Sequence, residues 1–129
     1  FEIKTHRNDV RNKRAADMAV EMVRMLGLEK HTEYIAFSKV VCQRLHEITP
    51  ESKIAYLSGD LTPAQVKEMG LSGIDYNEGV FKKHPEWLQD ANLDGIDIIT
   101  TNDPEILKGI LAEQQAAKQP AAKKTKKRK

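Results

Sequence analysis

Phe1-Glu2-Ile3-Lys4 opens the chain and alternates apolar with charged side chains. A period of two is the pattern of a β-strand, whose successive side chains point to opposite faces. Phe1 and Ile3 therefore share one face, and Glu2 and Lys4 share the other. In a barrel of parallel strands ringed by helices, the apolar pair would pack on the helices. The charged pair would then point toward the barrel axis, near its C-terminal mouth. No initiator Met precedes this strand, so the expectation is that the chain is the later part of something larger.

Outward from Lys4, four more short apolar or β-branched runs recur, at Tyr34 to Ser38, Ile54 to Leu57, Gly73 to Tyr76 and Ile96 to Thr100. Amphipathic stretches separate them. The clearest predicts a helix with Ala15, Met18, Ala19, Met22, Val23 and Leu26 at spacings of three and four, closed by Gly27 as a C′ residue. Ser38 to Ile48 predicts a second, with Val41, Leu45 and Ile48 on one face and Pro50 at its limit. Thr62-Pro63 reads as an N-cap followed by proline at N1, opening a short helix to Met69 that ends at Gly70. His84-Pro85-Glu86-Trp87 starts another, through about Ala91, and Asn102-Asp103-Pro104 starts the last, carrying Ile106, Leu107, Ile110 and Leu111. Strands alternating with helices through short loops predict a parallel sheet of right-handed βαβ units. The fold class is thus α/β: a partial TIM-type (β/α) barrel of about five parallel strands.

The 129 residues and 40% apolar content suit one compact domain. No run approaches the roughly 18 consecutive apolar residues of a membrane-spanning helix. Cys42 is the single cysteine, which excludes an internal disulfide and a cysteine metal cluster. Charge divides the chain in two. Seven of the 21 basic residues lie between Lys118 and Lys129 with no acid among them, so residues 1–117 hold 14 basic against 19 acidic residues, a net of −5. Residues 114–129 lack apolar periodicity and large apolar side chains, and predict a disordered basic tail beyond a domain spanning 1–113.

Glu2 and Lys4 are the candidate site residues. Burying both charges inside a barrel needs a reason, because an unpaired buried carboxylate costs several kcal/mol. A divalent cation on Glu2 and a phosphate on Lys4 would supply one. The blander reading is a Glu-Lys pair on an exposed edge. Elsewhere, His31, His46 and His84 are scattered without metal-ligand spacing and read as surface or capping residues. Asp75 and Tyr76 end a strand, where a pocket position and plain packing are both open. Phe37 and Ser38 also stand at a strand's C-terminal end, where barrel sites form. No Gly-x-Ser-x-Gly elbow surrounds Ser38. Gly59-Asp60 and Gly73 read as turn residues, and no Walker or dinucleotide pattern is present.

Taken in order, Phe1-Glu2-Ile3-Lys4 and the Arg-rich helix start, Tyr34-Ile35-Ala36-Phe37-Ser38, Ala55-Tyr56-Leu57, Gly73-Ile74-Asp75-Tyr76, His84-Pro85-Glu86-Trp87 and Ile99-Thr100-Thr101-Asn102-Asp103-Pro104 resemble the glycerophosphodiester phosphodiesterase family. The resemblance covers about residues 1 to 111. It implies a (β/α)8 barrel of which these strands are the third, fourth, fifth, sixth and eighth. It implies a metal-binding hydrolase of lipid metabolism that cleaves a glycerophosphodiester to glycerol 3-phosphate and an alcohol. By the same resemblance Glu2 is a ligand of Ca²⁺ or Mg²⁺, and Lys4 contacts the phosphate.

Two departures qualify it. The family's His-Arg pair, Glu-x-Asp and His-Asp lie upstream of the Glu-x-Lys strand and are absent here; His6-Arg7 follows that strand and cannot be the His-Arg pair. No catalytic residue is therefore assigned, and the chain alone is expected to be inactive. The family's Trp-Thr-Val-Asn strand and a further helix are also missing, since Ala91 runs directly into Asn92-Leu93-Asp94-Gly95-Ile96. The sixth and eighth strands must then become neighbours or leave a gap.

Rival readings come from other classes. A non-enzymatic α/β module could use Lys123 to Lys129 for unspecific, salt-sensitive contact with nucleic acid or anionic lipid. The same tail could be a solubilising, frame-shifted or engineered terminus. A barrel remnant with open sheet edges would self-associate.

Overall fold

The structure is a computed structural model and describes residues 1–93, 98–99 and 104–117. Five strands form one parallel sheet in sequence order: β1 (Glu2–Ile3), β2 (Tyr34–Ala36), β3 (Ile54–Tyr56), β4 (Gly73–Ile74) and β5 (Ile98–Ile99). Between them run α1 (Asp9–Met25), α2 (Lys39–Ile48), α3 (Pro63–Glu68), α4 (Glu78–Lys83) and α5 (Glu86–Leu93), and α6 (Pro104–Ala117) follows β5. This is the partial TIM-type arrangement expected from the alternating runs, with β1 and β5 at the edges of the described sheet. β4 pairs directly with β5 through Gly73↔Ile98 and Ile74↔Ile99. Where a βα unit is missing by comparison with the family pattern, the flanking strands have become neighbours.

Local chemistry accounts for the helix ends. Asn8 caps α1 by accepting from Arg11 N at 2.9 Å, and Ser38 caps α2 by accepting from Val41 N. Thr62 and Gln65 form a reciprocal capping box, with Pro63 in the first turn of α3. At the end of α1, Gly27 takes φ +66 while Leu28 N donates to Val23 O, a Schellman closure.

Helices α1, α2 and α3 cover one face of the sheet. Ile3, Tyr34, Ala36, Ile54, Tyr56, Ile74 and Tyr76 point into that layer and are buried against Ala16, Val20, Val41, Leu45 and Val66. Tyr76 lies at the centre of an aromatic group, with Tyr56, Phe81 and Trp87 rings 6.2, 6.1 and 6.1 Å away. Such contacts add to the area these rings remove from water.

Three expectations need correction. The buried face of α1 is Asn12, Ala16, Ala19, Val20 and Val23, whereas Met18, Met22 and Leu26 are exposed. The helix is apolar over a wide arc from Ala15 to Val23, so periodicity left its rotation about its own axis open, and docking on β1 and α2 decided it. Helix α6 continues through Ala117, so 114–117 belong to a helix rather than a disordered tail. Their Gln and Ala residues favour helix, and Gln114 Nε2 donates to Pro85 O at 2.6 Å. Residues 118–129, and with them the rest of the expected basic tail, lie outside the described residues, as do Asn102 and Asp103. Gly73 is a buried strand residue of β4, not a turn. Among the described residues, no helix is long and apolar enough to cross a membrane.

Candidate functional site at the strand ends

The face of the sheet opposite the helices is built by register. Glu2 aligns with Ile35, Ile35 with Ala55, and Ala55 with Gly73. One step along, Ile3, Ala36, Tyr56 and Ile74 form the next aligned row, which faces the helices. The residues after it, Lys4, Phe37, Leu57 and Asp75, return to the open face at the C-terminal ends of β1 to β4. There Glu2, Ile35, Phe37, Leu57, Asp75 and Asn77 line a pocket of about 430 Å³, which Tyr76 also borders.

Glu2 and Lys4 are brought together, with Lys4 Nζ 3.0 Å from Glu2 Oε1. Their side chains are 31% and 77% exposed, so the pair is only partly withdrawn from water. On edge strand β1 this is the blander arrangement weighed from the sequence. Glu2 nevertheless also lines the pocket, as a strand-end position would.

Across the pocket, Asp75 is half-buried at the end of β4. Burial, and after it the negative charge of Glu2, raise its carboxyl above the ordinary aspartate value. Its backbone N–H donates to Tyr56 O at 2.9 Å, which fixes the chain direction as it leaves the sheet. Among the described residues, no hydrogen-bond donor or cation meets the Asp75 side chain. Asn77 caps α4 by accepting from Gly79 N, and Phe37 presents a ring that is 52% exposed. Tyr76 itself is packing: its hydroxyl donates to Leu61 O at 2.8 Å.

The other polar residues singled out from the sequence have structural roles. Ser38 is an N-cap. His84 ends α4 and stacks on Trp87 with ring centroids 4.2 Å apart. His46 lies beneath the turn at Gly70, with a buried Nδ1 that meets no partner among the described residues. None of the four histidines lines the strand-end pocket. No described group of three or more His, Cys, Asp or Glu is arranged to hold a metal ion. Glu2 and Asp75 alone fall well short of the six or more oxygens around Ca²⁺, or the octahedron around Mg²⁺.

A parallel (β/α) segment with an acid-bearing pocket outside the C-terminal strand ends defines a barrel protein of the TIM type, the class in which active sites occupy that rim. No protein-family model matches this chain, and no curated protein does. Among solved structures, the chain is 33% identical to a glycerophosphodiester phosphodiesterase from Parabacteroides distasonis, with a TM-score of 0.73 over 89% of this chain and 57% of that one. This is a likeness to a member of the family that the motif order resembles. A glycerophosphoryl diester phosphodiesterase from Silicibacter pomeroyi, 18% identical, shares the fold with a TM-score of 0.55 over 88% of this chain and 50% of that one. The chain thus spans little more than half the length of these solved relatives.

The pocket lining was only partly visible beforehand. Leu57 and Ile35 carry no chemical signal and enter through register alone. Asn77 was overlooked because α4 was not foreseen; the Asn-Glu-Gly start is a capping signal that could have revealed it.

Proposed function

We propose that this chain carries the phosphate-facing part of a glycerophosphodiester phosphodiesterase site and does not turn over substrate by itself. The observation that supports the reading is Glu2 and Lys4, joined at 3.0 Å, at the C-terminal end of a strand beside the pocket. Lys4 supplies an exposed ammonium, a point charge suited to the non-bridging oxygens of a phosphodiester. Glu2 holds that ammonium in place until the phosphate arrives.

In the full reaction, water adds to phosphorus and the bond to the alcohol oxygen breaks, leaving glycerol 3-phosphate. That requires a group to take a proton from water and another to return one to the leaving alcohol. No histidine stands at this pocket to do either. In a whole enzyme of this kind a divalent cation on Glu2 would offset phosphate charge, but the described residues do not fit a complete metal site, and no step is assigned to it. Binding is the function left to Lys4 and its neighbours.

The test is to incubate the purified chain with Ca²⁺ or Mg²⁺ and glycerophosphocholine, and to measure choline release with and without chelator. No chelator-sensitive release is expected, while calorimetry should detect glycerol 3-phosphate binding that Lys4→Met weakens. Clear turnover would overturn the assignment of a binding role alone. Equal binding by wild type and Lys4→Met would overturn the phosphate contact.

A further inference from the structure

Most of the apolar surface that the fold leaves open belongs to α1. Of the nine large apolar side chains exposed among the described residues, six lie on α1 or within three residues of its end: Val10, Met18, Met22, Met25, Leu26 and Leu28. Exposed apolar residues scattered singly are ordinary, whereas a contiguous row marks a contact surface. Here the row is contiguous. Met18, Met22 and Met25 follow one another at spacings of four and three, which keeps them on one line along the helix. Helix α2 holds the other flank of α1, where Arg44 Nε donates to Asp17 Oδ1 at 2.6 Å and Arg24 Nη2 donates to Ile48 O at 2.8 Å. Met22, five residues beyond Asp17, is turned roughly 140° away from it.

Charge says what covers this flank. The methionine line continues toward the N-terminus through Arg14 and Arg11 at spacings of four and three. Neither guanidinium has an ion-pair partner among the described residues, and Arg11, in the first turn, also opposes the helix dipole. Beyond the other end of α1, Glu29 and Glu33 outnumber Lys30, and Glu29 is likewise unpaired among the described residues. A surface that is basic at one end, apolar in the middle and acidic at the other complements itself when turned end for end. In an antiparallel copy, Met18 meets the partner's Met22, Ala15 the partner's Met25 and Arg11 the partner's Glu29, each contact being made twice about a two-fold axis. A parallel copy sets Arg11 against the partner's Arg11 instead. Unbranched methionines adapt readily to such a self-contact. The open sheet edge offers less, because β1 is two residues long and carries Glu2. We propose that this flank of α1 is the interface of a homodimer, closed antiparallel across Met18 and Met22 with Arg11–Glu29 ion pairs at its two ends.

Sedimentation equilibrium of the full chain from about 1 to 100 µM tests it. The average mass should rise with concentration from that of the 14.6 kDa chain toward twice that value. Met22→Lys, at an exposed position that leaves thermal melting unchanged, should raise the dissociation constant about tenfold or more. Arg11→Glu should raise it about fivefold by facing like charge, and adding Glu29→Arg to Arg11→Glu should restore it. A chain that stays monomeric throughout would overturn the proposal and leave this flank to a helix of another polypeptide. A dimer indifferent to Met22→Lys in a protein of unchanged melting would overturn the assignment to α1. Failure of Glu29→Arg to rescue Arg11→Glu would overturn the antiparallel register.

Discussion

The phenol of Tyr56, at the end of β3, donates a 2.6 Å hydrogen bond to Oδ1 of Asp60 in the turn that follows. Lys39 of α2 approaches the other carboxylate oxygen at 3.7 Å. One side chain thus ties a strand end to its loop and, through the loop, to the preceding helix α2. Tyr56→Phe should lower the unfolding free energy by about 1 kcal/mol, the net worth of one such bond. The Tyr56 hydrogen bond holds the Asp60 carboxyl below its ordinary value of 3.8. A depressed carboxyl stabilises the fold above its unfolded pKa, and that stability is lost as pH falls through the folded one. The gap between wild type and Tyr56→Phe in urea unfolding should therefore be constant from neutral pH to about 4 and shrink below it.

On the alkaline side the sign reverses. Burial pushes the Cys42 thiol from 9.0 up to about 12. Burial, then the hydrogen bond to Asp60, pushes the Tyr56 phenol from 10.0 up to about 12. Burial also raises Tyr76. Each raised group stabilises the fold fully below its unfolded pKa and ceases to as pH rises through the folded one. Thermal melting should be insensitive to these groups below pH 9 and fall progressively between 9.0 and about 12. Replacing Cys42 with Ala should move the onset of the fall toward 10, where the tyrosines begin to titrate.

Cys42 is fully buried beneath β2, with its thiol 3.8 Å from Ala36 O. A thiol reagent should label it only when the domain opens, giving one label per chain in denaturant and slow labelling without it. Rapid labelling in native buffer would show that α2 detaches locally.

Two glycines with similar backbone angles should respond differently to alanine. Gly70 has φ +79, and a Cβ there would lie 2.4 Å from His46 Nε2, whereas Gly27 has φ +66 with nothing within 4 Å. Gly27→Ala should cost about 1 kcal/mol from the left-handed backbone alone. Gly70→Ala adds the displacement of a half-buried imidazole and should cost about 2 to 3 kcal/mol. Chemical denaturation of both variants reads the difference.

Thr62→Ala removes the hydroxyl that accepts from Gln65 N at 3.2 Å and ends the capping box of α3. The expected loss is about 1 kcal/mol of stability, with hydrogen exchange accelerating first in α3 because six residues cannot hold a helix without their cap.

Legibility followed the range of the interactions involved. Capping and turn chemistry are local, so Ser38, Thr62-Pro63 and Gly27 marked helix ends that the structure bears out. Helix α4 escaped notice because Gly79 interrupts a six-residue element with no repeating apolar pattern. It forms because Phe81, fully buried against Tyr76, supplies from tertiary packing what its own turns lack. The Glu2–Lys4 juxtaposition was readable from period two alone. Its meeting with Asp75 was not, since seventy-odd residues separate them and only the register of three intervening strand pairings closes that distance.

By itself, the sequence determined the five strands, most of the helices between them and the face of each strand on which a side chain stands, because backbone period and end-capping act over a few residues. The tertiary structure decided which way α1 turns its apolar arc, that β4 and β5 pair directly, and that Glu2, Phe37, Leu57 and Asp75 share one pocket. Those outcomes depend on pairings between distant segments, whose free energy is set by the surfaces brought together and not by any local pattern.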